Sequence, residues 1–134
     1  MNIPKGCRHR GKFKKDCCEI LWNGVIVEHD GCVTNEGCDV VAYDNHIVTF
    51  IEIKGGNISS QDASDIVKQI EICERFYSHF IVRRKRYRLF LHCIDKKKRK
   101  KKRLDSYART KLKMAKVITE ECKGTFNLND FTRL

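Results

Sequence analysis

Hydrophobic positions along this chain recur with two periods, and the changes of period mark its elements. In GKFKKDCCEILW, residues 11–22, Phe13, Cys17, Ile20 and Leu21 are spaced four, three and one apart, which predicts a short amphipathic helix. GVIVEH (24–29) reads as a first strand, and DGCVTNEG (30–37), with its Gly, Asn and Asp, as a loop. CDVVAYDNHIVTFIEIKGG (38–56) predicts a β-hairpin that ends at Gly55-Gly56. Ser59 or Ser60 can then cap a helix running to about residue 80, with Ile66, Ile70, Cys73, Tyr77 and Phe80 along one face. RYRLFLHCID (86–95) has the composition of a strand buried on both faces. Leu112, Ala115, Ile118 and Cys122 predict a last helix from Ser106 to Cys122, stopped by Gly124. Helix, strand, strand, strand, helix, strand, helix implies an α/β fold with a mixed β-sheet flanked by helices, in a single domain over residues 1–134.

The hairpin carries charges inside apolar runs, which is costly unless something compensates them. Asp44-Asn45 suits a two-residue turn, since both residue types tolerate positive φ. That turn pairs Tyr43 with His46, Val41 with Val48 and Asp39 with Phe50. Alternation then places Asp39, Phe50, Glu52 and Lys54 on one sheet face, with Glu52 diagonal to Asp39, and Val40, Ala42, Thr49, Ile51 and Ile53 on the opposite, core-facing side.

Charge narrows the partner. The 28 Lys and Arg exceed the 17 Asp and Glu by 11, a balance suited to a polyanion such as DNA. Lys96, Lys97, Lys98, Arg99, Lys100, Lys101, Lys102 and Arg103 hold most of that excess, so a flexible basic segment at 95–104 is the expected phosphate-contacting region, with Arg83 to Arg88 as an extension. MNIPKGCRHRGKFKKD has no apolar core of a signal peptide and no run of 18 apolar residues occurs, so a soluble, cytoplasmic protein without membrane association is expected. In that compartment the eight Cys are expected to be mostly reduced and to pack as small hydrophobes, unless the host is a hyperthermophile. Cys7-x-His9 with Cys17-Cys18 could hold zinc in a small zinc-stapled structural protein, although no CxxC or HxxxH pair is present, and His29, His46, His79 and His92 are scattered. Trp22, Tyr43 and Tyr77 read as packing residues.

Two carboxylates that cannot separate repel unless a divalent cation lies between them, and oxygen ligands favour Mg²⁺ or Mn²⁺. Such an ion can polarise a phosphodiester and activate water, and Lys54 can orient the nucleophile or offset charge. Asp39, twelve intervening residues, then Glu52-Ile53-Lys54 on an apolar strand before a glycine bend and a helix resembles the PD-(D/E)xK nuclease superfamily over about residues 11–95. The resemblance implies a restriction endonuclease-like core and a metal-dependent DNA endonuclease. Asp39, Glu52 and the Ile53 carbonyl would be metal ligands, and Asp39, Glu52 and Lys54 the catalytic set. An upstream acid on the first helix, where Asp16 and Glu19 compete, and Gln69 on the following helix are accessory candidates. Within the superfamily, the short chain, the opening GKFKKDCCEILWNGVIVEHDG and CDVVAY are similar to archaeal Holliday junction resolvases, which implies a homodimer acting on branched DNA. A non-catalytic nucleic-acid-binding domain on the same fold is the alternative.

Overall fold

The computed structural model describes residues 3–94 and 103–131. After a 3₁₀ turn at Lys5–Cys7 come strands β1 (Arg8–Lys15), β2 (Cys18–Glu28), β3 (Val40–Tyr43) and β4 (Ile47–Gly55), then helices α1 (Ser60–Phe76) and α2 (Ser78–Ile81). Strand β5 (Lys85–Cys93), helix α3 (Ser106–Met114), strands β6 (Ile118–Cys122) and β7 (Thr125–Asn127) and helix α4 (Leu128–Phe131) complete the chain. The strands form one mixed sheet in the order β1-β2-β3-β4-β5-β6, with β7 pairing β2 in parallel. The first four strands are antiparallel, whereas β4, β5 and β6 run parallel because α1 and α3 carry the chain back between them. The expected mixed α/β sheet flanked by helices is therefore the observed architecture.

Both faces of the sheet are buried. On one, Val41, Val48, Phe50 and Phe90 pack under Ile66, Ile70, Cys73 and Tyr77 of the α1 region and Ala108 and Leu112 of α3. On the other, Val40, Ala42, Ile51, Ile53, Leu89 and Leu91 are covered by Cys18, Ile20, Trp22, Leu128 and Phe131. That covering layer corrects the helix expected over 11–22. The alternation of Cys18, Ile20 and Trp22, buried at every second position, prevails over the looser helical spacing of Phe13, Cys17, Ile20 and Leu21. Asp16 takes a positive φ of 53° at the hairpin tip. The ladder slips at Arg10/Gly11, and the first half of β2 leaves β3 to pair with β7 over the sheet.

Helix α1 begins where Ser59 and Asp62 form a reciprocal capping box, worth about 1 kcal/mol. Helix α3, expected to run to Cys122, stops at Met114. Lys116 turns the chain with φ 59°, and Ile118–Cys122 becomes an edge strand beside β5. The hairpin loop is longer than the expected Asp44-Asn45 turn, because Asp44 Oδ1 accepts from the amides of His46 and Ile47 at 2.7 and 2.8 Å. Tyr43 therefore pairs with Val48 and Val41 with Phe50. The displacement is two residues, so every side chain keeps its expected face.

The eight cysteines, expected reduced, are joined as Cys7–Cys32, Cys17–Cys93, Cys18–Cys122 and Cys38–Cys73. The fold-over of β1 and β2 makes two of these pairs by bringing the adjacent Cys17 and Cys18 onto the ends of β5 and β6.

Candidate metal centre

Asp39 stands one residue before β3, and extending the ladder from Val40 opposite Ile51 sets it directly across from Glu52. The Asp39 amide donates to Glu52 Oε1 at 3.1 Å, and the Ile53 amide donates to Asp39 Oδ2 at 2.8 Å. Each carboxylate thus gives one oxygen to backbone. Burial, then the charge and side-chain interaction of the neighbouring Asp39, push the Glu52 carboxyl up. Burial likewise raises Asp39, against the opposing pull of the Ile53 amide.

Other groups shape the field. Lys15 lowers and Asp16 raises the Asp39 carboxyl from the folded-over hairpin tip, while Asp30 raises Glu52 from the loop after β2. Sequence reasoning missed Lys15 and Asp30, since only the fold-over brings them near. Of the two upstream acids, Asp16 reaches the site electrostatically. Glu19 sits on β2 opposite Lys14 and Thr125, and no helix presents it.

Lys54 leaves the same sheet face, but its Nζ pairs with Asp62 Oδ1 at 2.9 Å at the start of α1. The capping hydrogen bonds from Ser59, together with Lys54, hold the Asp62 carboxyl down at about 2. The structure thus joins Asp39 to Glu52 and directs Lys54 one step outward. Gln69 accepts from the Gly37 amide at 2.9 Å, so it fixes the loop that delivers Asp39. Gly37 itself has φ 112°, and a Cβ there would meet the His29 ring at 2.8 Å. Cys38, bonded to Cys73 of α1, anchors that loop on its other side.

The expected phosphate-binding residues 96–102 lie outside the described residues. Arg103 is exposed, and its backbone bonds Asn57 and Ile58 just before α1.

The donor set suits a hard cation. One oxygen of each carboxylate is free of backbone, the donors are all oxygen, and an ion would replace the proton that the crowded pair otherwise retains. Among the described residues no group of three or more His, Cys, Asp and Glu forms a cage. The remaining coordination would therefore come from the Ile53 carbonyl, water and a substrate phosphate, as Mg²⁺ commonly accepts. No known protein family, characterised protein or solved structure matches this chain.

Proposed function

We propose that this chain is a Mg²⁺- or Mn²⁺-dependent nuclease that hydrolyses DNA phosphodiester bonds on a restriction endonuclease-like core. The observation that carries the reading is the half-buried, backbone-braced pair Asp39 and Glu52, neither of which has an ion pair among the described residues. A glycine bend and a capped helix follow it, as the resemblance implies. The bound ion would polarise the phosphate and lower the pKa of an attacking water. Asp39 and Glu52 would hold that ion; the Asp39 and Ile53 amides fix the orientation of their carboxylates. Lys54, released from Asp62 by an arriving phosphate, offsets charge at the scissile group. Preference for branched DNA and a homodimer are the finer reading.

The deciding experiment assays the wild type with Asp39→Ala, Glu52→Ala and Lys54→Ala on branched, duplex and single-stranded DNA with Mg²⁺ or Mn²⁺. Cleavage by the wild type and its loss in the two acid variants support the reading. A wild type inactive on all substrates sinks it.

The Lys54–Asp62 pair favours one second reading, a nucleic-acid-binding domain without catalysis. Calorimetry showing no metal uptake alongside salt-sensitive DNA binding would select it.

A further inference from the structure

Strand β1 forms one edge of the sheet and carries Arg8, Arg10, Lys12, Lys14 and Lys15 without an acidic residue. His9 stacks on Phe13 with centroids 4.3 Å apart, so the odd positions turn inward, and Arg8, Arg10, Lys12 and Lys14 stand exposed on the other side. None of these four has an ion pair among the described residues. Side chains two apart on a strand recur about every 6.7 Å, a spacing that an extended polynucleotide backbone can follow phosphate by phosphate. The row also has a direction. It ends at Lys14, next to a hairpin tip whose Cys17 is bonded to Cys93, the β5 residue beside Gly55 at the end of the strand that carries Glu52.

We infer that the outer face of β1 is a binding track for the phosphodiester backbone of a nucleic-acid strand, leading it toward the Asp39–Glu52 pair. The destination rests on the nuclease reading; binding along β1 does not. Edge-strand lysines also deter edge-to-edge pairing of sheets. That role requires no affinity for polyanions, so binding separates the two.

The test is fluorescence anisotropy of labelled oligo(dT) and oligo(U) across a salt series in EDTA, where cleavage is absent. Arg10→Gln/Lys12→Gln/Lys14→Gln is compared with the charge-matched Lys68→Gln/Arg75→Gln/Lys113→Gln on the helices. Each phosphate contact contributes about 0.7 to the slope of log affinity against log salt, so the β1 variant should lose roughly 2 and the helix variant little. Arg10→Lys/Lys12→Arg/Lys14→Arg should keep the wild-type slope. If the triple variant does not fold, each single Gln variant should lose about 0.7. Loss with oligo(dT) or oligo(U) identifies the preferred strand, and persists even if the protein cleaves nothing. Equal slopes in the β1 and helix variants, no binding by the wild type, or loss only toward anionic vesicles would overturn the inference.

Discussion

Asp39 and Glu52 brace one another through the backbone: the Asp39 amide bonds Glu52 Oε1 at 3.1 Å and the amide following Glu52 bonds Asp39 Oδ2 at 2.8 Å. Neither carboxyl can turn away without losing its hydrogen bond from the backbone, and the repulsion is built into the fold. Two such groups held together, and half withdrawn from water, are a standing demand for a proton or a cation.

In the metal-free protein this sets the sign of the pH dependence. Both folded carboxyls lie above their ordinary values of 3.8 and 4.5, Glu52 toward about 9. The folded chain therefore binds more protons than the unfolded chain, and stability falls as pH rises through that window. Glu52→Gln keeps an oxygen for the Asp39 amide and removes the charge. It should flatten the profile and be more stable than wild type at pH 8 by on the order of 1–2 kcal/mol, read from urea unfolding in EDTA at pH 5 and pH 8. A wild type equally stable at both pH values, with no gain in the variant, would refute this.

Divalent cations should reverse that penalty. At a hundredfold excess over its dissociation constant an ion stabilises by about 2.7 kcal/mol, or roughly 5–10 °C for a chain of this size. Mg²⁺ and Mn²⁺ should raise the melting temperature of the wild type and release protons on binding. Asp39→Asn and Glu52→Gln should abolish both effects. Equal upward shifts in all three proteins would place the ion elsewhere.

That these two acids share a sheet face was readable from the chain because side chains on a strand alternate with period two, whereas the expected register set Glu52 diagonal to Asp39 and not directly opposite it. The loop shifted the register by two residues, and an even shift leaves faces intact. Helix α1 was readable from its Ser cap and from Ile66, Ile70 and Cys73. The fold of residues 11–22 was not, since Phe13, Cys17, Ile20 and Leu21 satisfy a helical period that Cys18, Ile20 and Trp22 contest. With that hairpin misassigned, the contributions of Lys15 and the basic row on β1 stayed hidden. Disulfide pairing was beyond reach, as eight cysteines allow roughly a hundred connectivities.

Glu74, only 7% exposed, receives Arg88 through Nε at 2.9 Å and Nη2 at 2.6 Å, with Arg86 at 3.2 Å from outside. Removing Arg88 leaves the buried Glu74 with only the outer Arg86 to compensate it, so Arg88→Ala should cost up to about 3 kcal/mol. Arg88→Lys should lose part of that, because an ammonium cannot reproduce the fork. Glu74→Leu/Arg88→Met should be less damaging than Arg88→Ala alone. Additive losses in the double-mutant cycle would show that the two residues do not act as a pair.

Two of the disulfides separate stability from the site. Cys38–Cys73 and Cys7–Cys32 span 35 and 25 residues, so loop-closure entropy assigns them nearly equal stabilisation, about 4 and about 3.5 kcal/mol. Their positions differ. Cys38 precedes Asp39 and ties it to α1, whereas Cys7–Cys32 fastens the start of β1 to the loop after β2. Cys38→Ala/Cys73→Ala and Cys7→Ala/Cys32→Ala should therefore lose similar stability in urea, while only the first should bind Mn²⁺ more weakly, by roughly tenfold as when a support of a metal ligand is removed. Crosslinks of this density are usual in oxidising compartments and in hyperthermophiles. Dithiothreitol should weaken metal binding in the wild type and leave the Cys38→Ala/Cys73→Ala variant's affinity little changed. Equal weakening of metal binding in the two variants would assign Cys38–Cys73 to general stability alone.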